Sequence, residues 1–261
     1  LDKSDKIKDL FSTVDNICKR RISEIFLNGP ETELNQTKNT QVSIVTISVA
    51  LTLLLEEKLK EKELSLTSVG CCGHSLGEFT ALWYSKILSL ENLIELVSIR
   101  GNLMQDAPEG AMAAILNLEA DKVESLLNED EFKNKIVIAN YNSPSQIVIS
   151  GEKKCFDKIP EKVKSLNGKA IILPVSGAFH SSLMQEPSKA FNNALDKASF
   201  NNDTKVSIYQ NVDGKPSKDL NVILGKLKKQ MTSSVFWTQT INNLVKDNVN
   251  AIIEIGPGKV L

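Results

Sequence analysis

Histidine is nearly absent from this sequence, and arginine is scarce. His74 and His180 are the only histidines, and Arg20, Arg21 and Arg100 are the only arginines among 31 basic residues. Chemistry that runs on imidazole is therefore confined to two positions. Each arginine has kept its place in a chain otherwise committed to lysine, and is a candidate for a site that needs a planar, bidentate cation. The four cysteines, Cys18, Cys71, Cys72 and Cys155, show neither metal-ligand nor disulfide spacing, which predicts reduced thiols in an intracellular compartment and no metal site. Excess charge is missing too: net charge is -1 and the pI about 6.3, so there is no global basic field for nucleic acid. No apolar run is long enough to span a bilayer. The longest, residues 42–55, is interrupted by Ser43, Thr46, Ser48 and Thr52 and reads as a buried helix. The opening Leu1-Asp2-Lys3-Ser4-Asp5-Lys6 carries no charged-then-apolar signal, so a targeting peptide is expected to be already removed or never present.

What is present is an ordinary globular composition, 41% hydrophobic over 261 residues, enough for one domain with an insertion or two modest domains. Residues 66–72, 169–175, 205–209 and 249–255 are short, apolar or β-branched and mostly bounded by Gly, Pro or Asn, as buried strands are. Residues 39–63, 77–86, 90–105, 182–197 and 237–247 repeat apolar side chains at i, i+3, i+4 spacing and predict helices. The alternation predicts an α/β fold on a parallel, hydrolase-like sheet covered by helices on both faces. Residues 111–173 break the rhythm: strand 111–118, helix 120–128, strands 136–141 and 146–150, helix 153–166, strand 169–173. This β-α-β-β-α-β order is that of a ferredoxin-like unit, with Asn142-Ser143-Pro144-Ser145 turning its central hairpin. The expected organisation is a large α/β domain, residues 1–109 and 175–261, with a ferredoxin-like subdomain inserted at 110–174. Pro108-Glu109-Gly110 and Pro174-Val175-Ser176-Gly177 would be the hinges. Lysines at 153, 154, 158, 162 and 164, and at 226, 228 and 229, read as solvated helix faces.

One pentapeptide carries chemistry. Gly73-His74-Ser75-Leu76-Gly77 lies between an apolar stretch ending in Cys71-Cys72 and a helical stretch beginning at Glu78, the setting of a nucleophile elbow. The two glycines are expected to relieve collisions in a tight turn that lifts the Ser75 hydroxyl to a helix N-terminus, where backbone N–H groups stabilise an oxyanion. A serine needs a base. His74 adjoins Ser75 on the turn and should point away, which leaves His180, at the junction of a strand and a helix. Ser182 with Gln185 makes a capping-box pattern that would place His180 just outside that helix. Asp213, in Asn211-Val212-Asp213-Gly214, is either the carboxylate that orients the imidazole or a hairpin turn residue. Arg100 interrupts an apolar helical face where Leu96, Val97, Leu103 and Met104 cannot pair with it. A substrate carboxylate and a distant acidic side chain are both open as partners.

The Gly73-His74-Ser75-Leu76-Gly77-Glu78 elbow does not stand alone. Arg100-Gly101 before Met104-Gln105, Asn142-Ser143-Pro144, Ala178-Phe179-His180-Ser181, Gln230 before Trp237, and Glu254-Ile255-Gly256-Pro257-Gly258-Lys259-Val260-Leu261 follow it in order. Over nearly its whole length the chain resembles the malonyl-CoA:acyl carrier protein transacylases of type II fatty-acid synthesis. The resemblance implies that Ser75 is acylated, that His180 is its base, and that Arg100 holds the free carboxylate of malonate. It implies one oxyanion donor in the Leu76 N–H and an imidazole oriented by a main-chain carbonyl at Gln230, which demotes Asp213 to a turn. Gln41 would line the pocket, and the bulk of Phe179 would disfavour branched acyl groups. The implied reaction is ping-pong, from malonyl-CoA through malonyl-serine to acyl carrier protein, with no metal or organic cofactor and no nucleic-acid or membrane partner. Carrier proteins are acidic, so Lys226, Lys228 and Lys229, leading into Gln230, are a candidate docking surface. A bacterial cytoplasm and a plastid stroma both fit. Members of that family begin with a strand and a Gly-Gln-Gly turn that completes the oxyanion hole, and end in a further helix; this sequence begins after the one and stops before the other, so a shortened chain is expected. The competing readings are a serine acyl hydrolase of the lipase or thioesterase kind, and a patatin-like Ser75–Asp213 dyad.

Overall fold

Most buried apolar side chains gather into two cores, one among the helices near the elbow and one beneath an antiparallel sheet, with a small third cluster on that sheet's other face. In the computed structural model, which describes residues 4–258, α1 (Asp5–Cys18), α2 (Ile22–Asn28), α3 (Glu31–Leu34) and α4 (Thr37–Glu61) precede the first strand, β1 (Gly70–Cys72). The elbow leads into α5 (Gly77–Tyr84) and α6 (Leu90–Gln105). The predicted helix 90–105 coincides with α6, whose start is fixed by Ser89 Oγ accepting the Asn92 N–H at 3.2 Å. Val42, Val45 and Val49 of α4 pack in the first core with Leu93, Leu96 and Val97 of α6, so the interrupted apolar run is a core helix. No helix among the described residues is long and apolar enough to cross a membrane.

Next come β2 (Ala111–Leu116), α7 (Ala120–Leu127), β3 (Ile136–Ser143), β4 (Gln146–Gly151), α8 (Ile159–Ser165) and β5 (Lys169–Ile172). Their sheet has the order β3-β4-β2-β5 with every pairing antiparallel. One face packs Ala113, Ile115 and Ile149 against Val123 and Leu126 of α7 and Ile159 and Val163 of α8, the period-2 and period-3.6 stripes meeting as they must to exclude water. The predicted helix 153–166 is split: Lys153–Cys155 forms a 3-10 turn, and α8 begins anew with Pro160 in its first turn. Proline has no N–H to donate and is tolerated only there.

The chain then passes a 3-10 turn, Ser182–Met184, into α9 (Gln185–Lys197), followed by β6 (Ser207–Tyr209), β7 (Pro216–Ser217), α10 (Leu220–Leu227), a 3-10 turn at Gln230–Thr232 and α11 (Trp237–Lys246). Here the expected parallel sheet is corrected. Among the strands of the described residues only β1 and β6 pair in parallel, Cys71 opposite Ile208, and β7 joins β6 antiparallel; a single parallel bridge links Asn140 to Val235 outside them. Residues 169–175 contribute β5 to the antiparallel sheet instead, with Lys169 opposite Leu116. Residues 249–255 form no strand, and Ile252 and Ile253 are 59% and 55% exposed. A β-branched run marks a segment able to pair; which edge it meets is a matter of tertiary contacts. The Lys259-Val260-Leu261 end of the terminal motif lies outside the described residues, as do Leu1, Asp2 and Lys3.

Backbone contacts tie the antiparallel sheet and its flanks to the rest of the chain. Residues 109–110 and 176–177 run side by side, Gly110 N–H donating to Ser176 O at 2.9 Å with Glu109 bridged to Gly177. The segment before α11 lies along β3: Val235 N–H donates to Ala139 O at 2.8 Å and Tyr141 N–H to Val235 O at 2.9 Å. The ends of that segment are pinned by Ser234 Oγ on Ile138 O and Thr238 Oγ1 on Tyr141 O.

Candidate active site

Ser75 sits between β1 and α5 with φ +47°, a left-handed conformation unusual for a residue with a side chain. Gly73 makes the turn possible: a Cβ there would lie 2.0 Å from the Gly77 carbonyl carbon. Gly77 departs from expectation, since a Cβ on it meets nothing within 4 Å; it supplies the backbone that Gly73 crowds, as the first residue of α5. Leu76 N–H takes no partner among the described residues, as first-turn N–H groups of a helix do.

Ser75 Oγ and His180 Nε2 are 2.8 Å apart. His180 Nδ1 is 3.0 Å from both Gln230 O and Ser233 O. Carbonyls only accept, so Nδ1 carries the ring proton and Nε2 is left to accept from the Ser75 hydroxyl. Burial first, then the Arg100 cation, pushes the imidazole pKa down to about 3, against weaker support from the two carbonyls. His180 is thus neutral at rest. His180 itself has φ +59°. The expected Ser182–Gln185 capping box does not form: Ser181 Oγ accepts the Leu183 N–H at 3.2 Å and donates to Ala178 O at 2.6 Å, because a 3-10 turn intervenes before α9. His74 points away from Ser75 as expected. Its Nε2 meets Asn142 Oδ1 at 2.8 Å, its ring meets Trp237 edge-on, and burial lowers its pKa.

Arg100 is buried, 1% exposed, with its guanidinium beside the nucleophile. Nη1 donates to Gln41 Oε1 at 2.7 Å; Nη2 donates to Ser75 Oγ at 3.0 Å and to Gln230 Oε1 at 3.3 Å. Its Nε has no partner among the described residues, and the Phe79 ring lies 5.6 Å from the guanidinium carbon. Desolvation lowers the arginine pKa to about 10, which still leaves a cation at neutral pH. The reading of Gln41 as a lining residue gains detail: its carbonyl holds Arg100 and its amide Nε2 rests on Met104 Sδ at 3.0 Å. Gln230 acts through both ends, since its side-chain Nε2 also donates to Ser75 O at 3.0 Å. Phe179 is half-buried and packs against both the elbow core and the inner face of the antiparallel sheet. A cleft of about 520 Å³ opens at His180 and is lined by Val137, Ser182, Val212, Thr232, Ser233 and Phe236.

The patatin-like alternative is overturned. Asp213 Oδ1 accepts the Lys215 N–H at 3.0 Å and pairs with Lys226 at 3.0 Å, making it the turn residue and no partner of Ser75. Lys228 pairs with Asp196, so two of the three lysines offered for docking are already engaged. Three site residues escaped sequence reading: Asn211, which binds the elbow; Glu78, buried behind it; and Ser233, the second carbonyl on His180. The signal available for Asn211 was a pair of amide side chains, Gln210-Asn211, immediately after a buried strand on the rim that carries Ser75.

A serine with a neutral base on one side and a fixed cation on the other suits the transfer of an acyl group that carries its own negative charge, and the surrounding mixed α/β fold is that of an acyltransferase. The chain belongs to the acyl transferase domain family, whose match covers residues 1–261. It is 36% identical over 263 residues to the malonyl CoA-acyl carrier protein transacylase of Staphylococcus aureus (strain COL), covering 99% of this chain and 82% of that protein. The crystal structure of the enzyme of that name from Clostridium perfringens superposes with a TM-score of 0.88 at 34% identity, over 99% of this chain and 80% of the other. A malonyl-transacylase in complex with a type II PKS acyl-carrier protein gives a TM-score of 0.90 at 30% identity, over 97% and 82% of the two chains.

Proposed function

We propose that this enzyme moves the malonyl group of malonyl-CoA to the phosphopantetheine thiol of acyl carrier protein, through a malonyl ester on Ser75. The carrying observation is the buried guanidinium of Arg100: Nη1 is engaged by Gln41, Nη2 reaches Ser75 Oγ, and Nε is left without a partner. A donor pair at Nε and Nη2 matches the two oxygens of a carboxylate. With malonyl-CoA bound, His180 Nε2 takes the hydroxyl proton as Ser75 Oγ attacks the thioester carbon, and the Leu76 N–H receives the charge that develops on the carbonyl oxygen. Collapse of the tetrahedral intermediate breaks the C–S bond, and the CoA thiolate leaves with the proton held by His180. The carrier thiol repeats these steps in reverse. The Gln230 and Ser233 carbonyls keep Nδ1 protonated throughout. Phe179 narrows the pocket against branched acyl groups.

The deciding experiment is intact-mass spectrometry of protein incubated briefly with malonyl-CoA, beside acetyl-CoA and a Ser75→Ala control. A malonyl-sized increase that requires Ser75 and vanishes on adding carrier protein is expected. Release of free CoA with no adduct would assign water as the acceptor and make the protein a hydrolase.

The same reading divides the chain into a large α/β unit, residues 1–109 and 175–261, and an inserted ferredoxin-like subdomain, 110–174. Support comes from the two separate cores and the β3-β4-β2-β5 order. Residues 110–174 expressed alone are expected to melt cooperatively by circular dichroism; a featureless, non-cooperative trace rejects the division.

A further inference from the structure

Every polar group of Asn211 is committed around the nucleophile. Oδ1 accepts the Ser75 N–H at 2.5 Å, and Nδ2 donates to Gly73 O at 2.7 Å. Its own N–H donates to Glu78 Oε2 at 2.8 Å, and its carbonyl accepts the Phe236 N–H at 2.8 Å. The residue is buried, as are Glu78 and Gln210, whose Nε2 also donates to Glu78 Oε1 at 3.2 Å. The side-chain amide therefore straddles the elbow, gripping it two residues before the strained serine and at the serine itself. Its main chain continues toward the segment whose Ser233 carbonyl binds His180.

From this geometry we infer that Asn211, backed by Glu78, is a positioning residue for acyl transfer: it holds Ser75 in its left-handed conformation and ties the nucleophile to the loop that orients its base. The inference rests on the transacylase reading of Ser75. An amide presents an acceptor and a donor side by side whatever the pH, as the Ser75 N–H and the Gly73 carbonyl require. Because the Ser75 N–H is spent on Asn211, it is withdrawn from the oxyanion hole, and the adjacent Leu76 N–H is the elbow donor that stays available.

The test is quench-flow acylation by malonyl-CoA with intact-mass readout, alongside melting temperatures. In Asn211→Ala the acylation rate constant is expected to fall on the order of 10²-fold while the half-saturating malonyl-CoA concentration moves less than about threefold, since Arg100 still binds the carboxylate and only the placement of Ser75 is lost. In Asn211→Asp an ionised carboxylate accepts from Ser75 but has no proton for Gly73 O, whereas the neutral acid offers both. The rate of that variant should rise as pH falls from about 8 to about 5, while the wild type stays flat. The ionisable groups around this position are Glu78 on α5, Arg100 on α6, and His74 and His180. A folded variant of either kind that acylates within about threefold of wild type, with the wild-type pH profile, overturns the inference. If neither variant folds, hydrogen exchange at the Ser75 amide of the wild type decides: protection of about 10²-fold or more supports the brace, and exchange at an open-loop rate rejects it. Failure of the wild type to form any Ser75-dependent adduct would remove the transacylase reading while leaving the amide measurement to judge the brace.

Discussion

His180 and Asp213 separate the two serine mechanisms that one residue-level reading left open. His180→Ala is expected to abolish malonyl-Ser75 formation, whereas Asp213→Asn, which touches only a turn and a lysine, should leave the acylation rate within about twofold; the opposite pattern in a mass-detected acylation assay would restore the dyad. Arg100→Ala should cost about 2 to 5 kcal/mol of malonyl transfer, because a substrate carboxylate is then desolvated without a partner. Comparison of kcat/KM for malonyl- and acetyl-CoA checks this, and equal losses on both would remove the carboxylate role. The pH dependence follows from burial. With the His180 pKa held at about 3, the wild-type acylation rate should not fall through the ordinary imidazole range near 6.5, and a midpoint there would show an exposed base. His180, Arg100 and Ser75 were legible as chemistry because scarcity and the elbow pattern marked them. Asn211 and Glu78 were not, because an amide and a carboxylate are common in turns and helix starts, and only their burial against Ser75 gives them work.

The elbow turns on one glycine, and the pair of substitutions at its ends measures this. Gly73→Ala drives a Cβ to 2.0 Å from the Gly77 backbone, which cannot give way like a flexible side chain. A loss of at least about 1–3 kcal/mol in denaturant unfolding is expected, with loss of acylation. Gly77→Ala enters open space at the start of α5 and should change stability by less than about 1 kcal/mol. Equal effects at both positions would contradict this account of the turn. Elements were read best where a local signal stood beside the periodicity, as at α6 with its Ser89 cap. They were read worst where a proline or a 3-10 turn divided an apolar stripe, as before α8 and α9, because a stripe is blind to the hydrogen bond that breaks it.

At the scale of the whole molecule, the antiparallel sheet bears on the base through one strand edge. The segment that pairs with β3 through Val235 also presents the Ser233 carbonyl to His180, so the antiparallel sheet and the imidazole share a support. Acid stability should register the buried imidazole. The unfolded chain protonates His180 near 6.5 and the folded protein only near 3, so the unfolded state binds more protons in between. Stability fully present above about pH 6.5 should therefore decline as pH falls toward 3. In His180→Gln the slope of unfolding free energy against pH over that window should be shallower; an unchanged slope would show that other groups dominate.

The sequence by itself determined the chemistry on offer: two imidazoles, one elbow serine, one arginine on an apolar face, and the β-α-β-β-α-β order from β2 to β5, because residue type and local periodicity are properties of the chain. It did not determine which strands pair. Residues 169–175 carry the same apolar run whether they meet a parallel neighbour or lie beside β2, and 249–255 read as a strand yet form none. Nor did it place Arg100 within 3.0 Å of Ser75, or Asn211 across the elbow. Those contacts join residues far apart in the chain, and only the packing of α6 and β6 against the turn brings them into hydrogen-bonding reach.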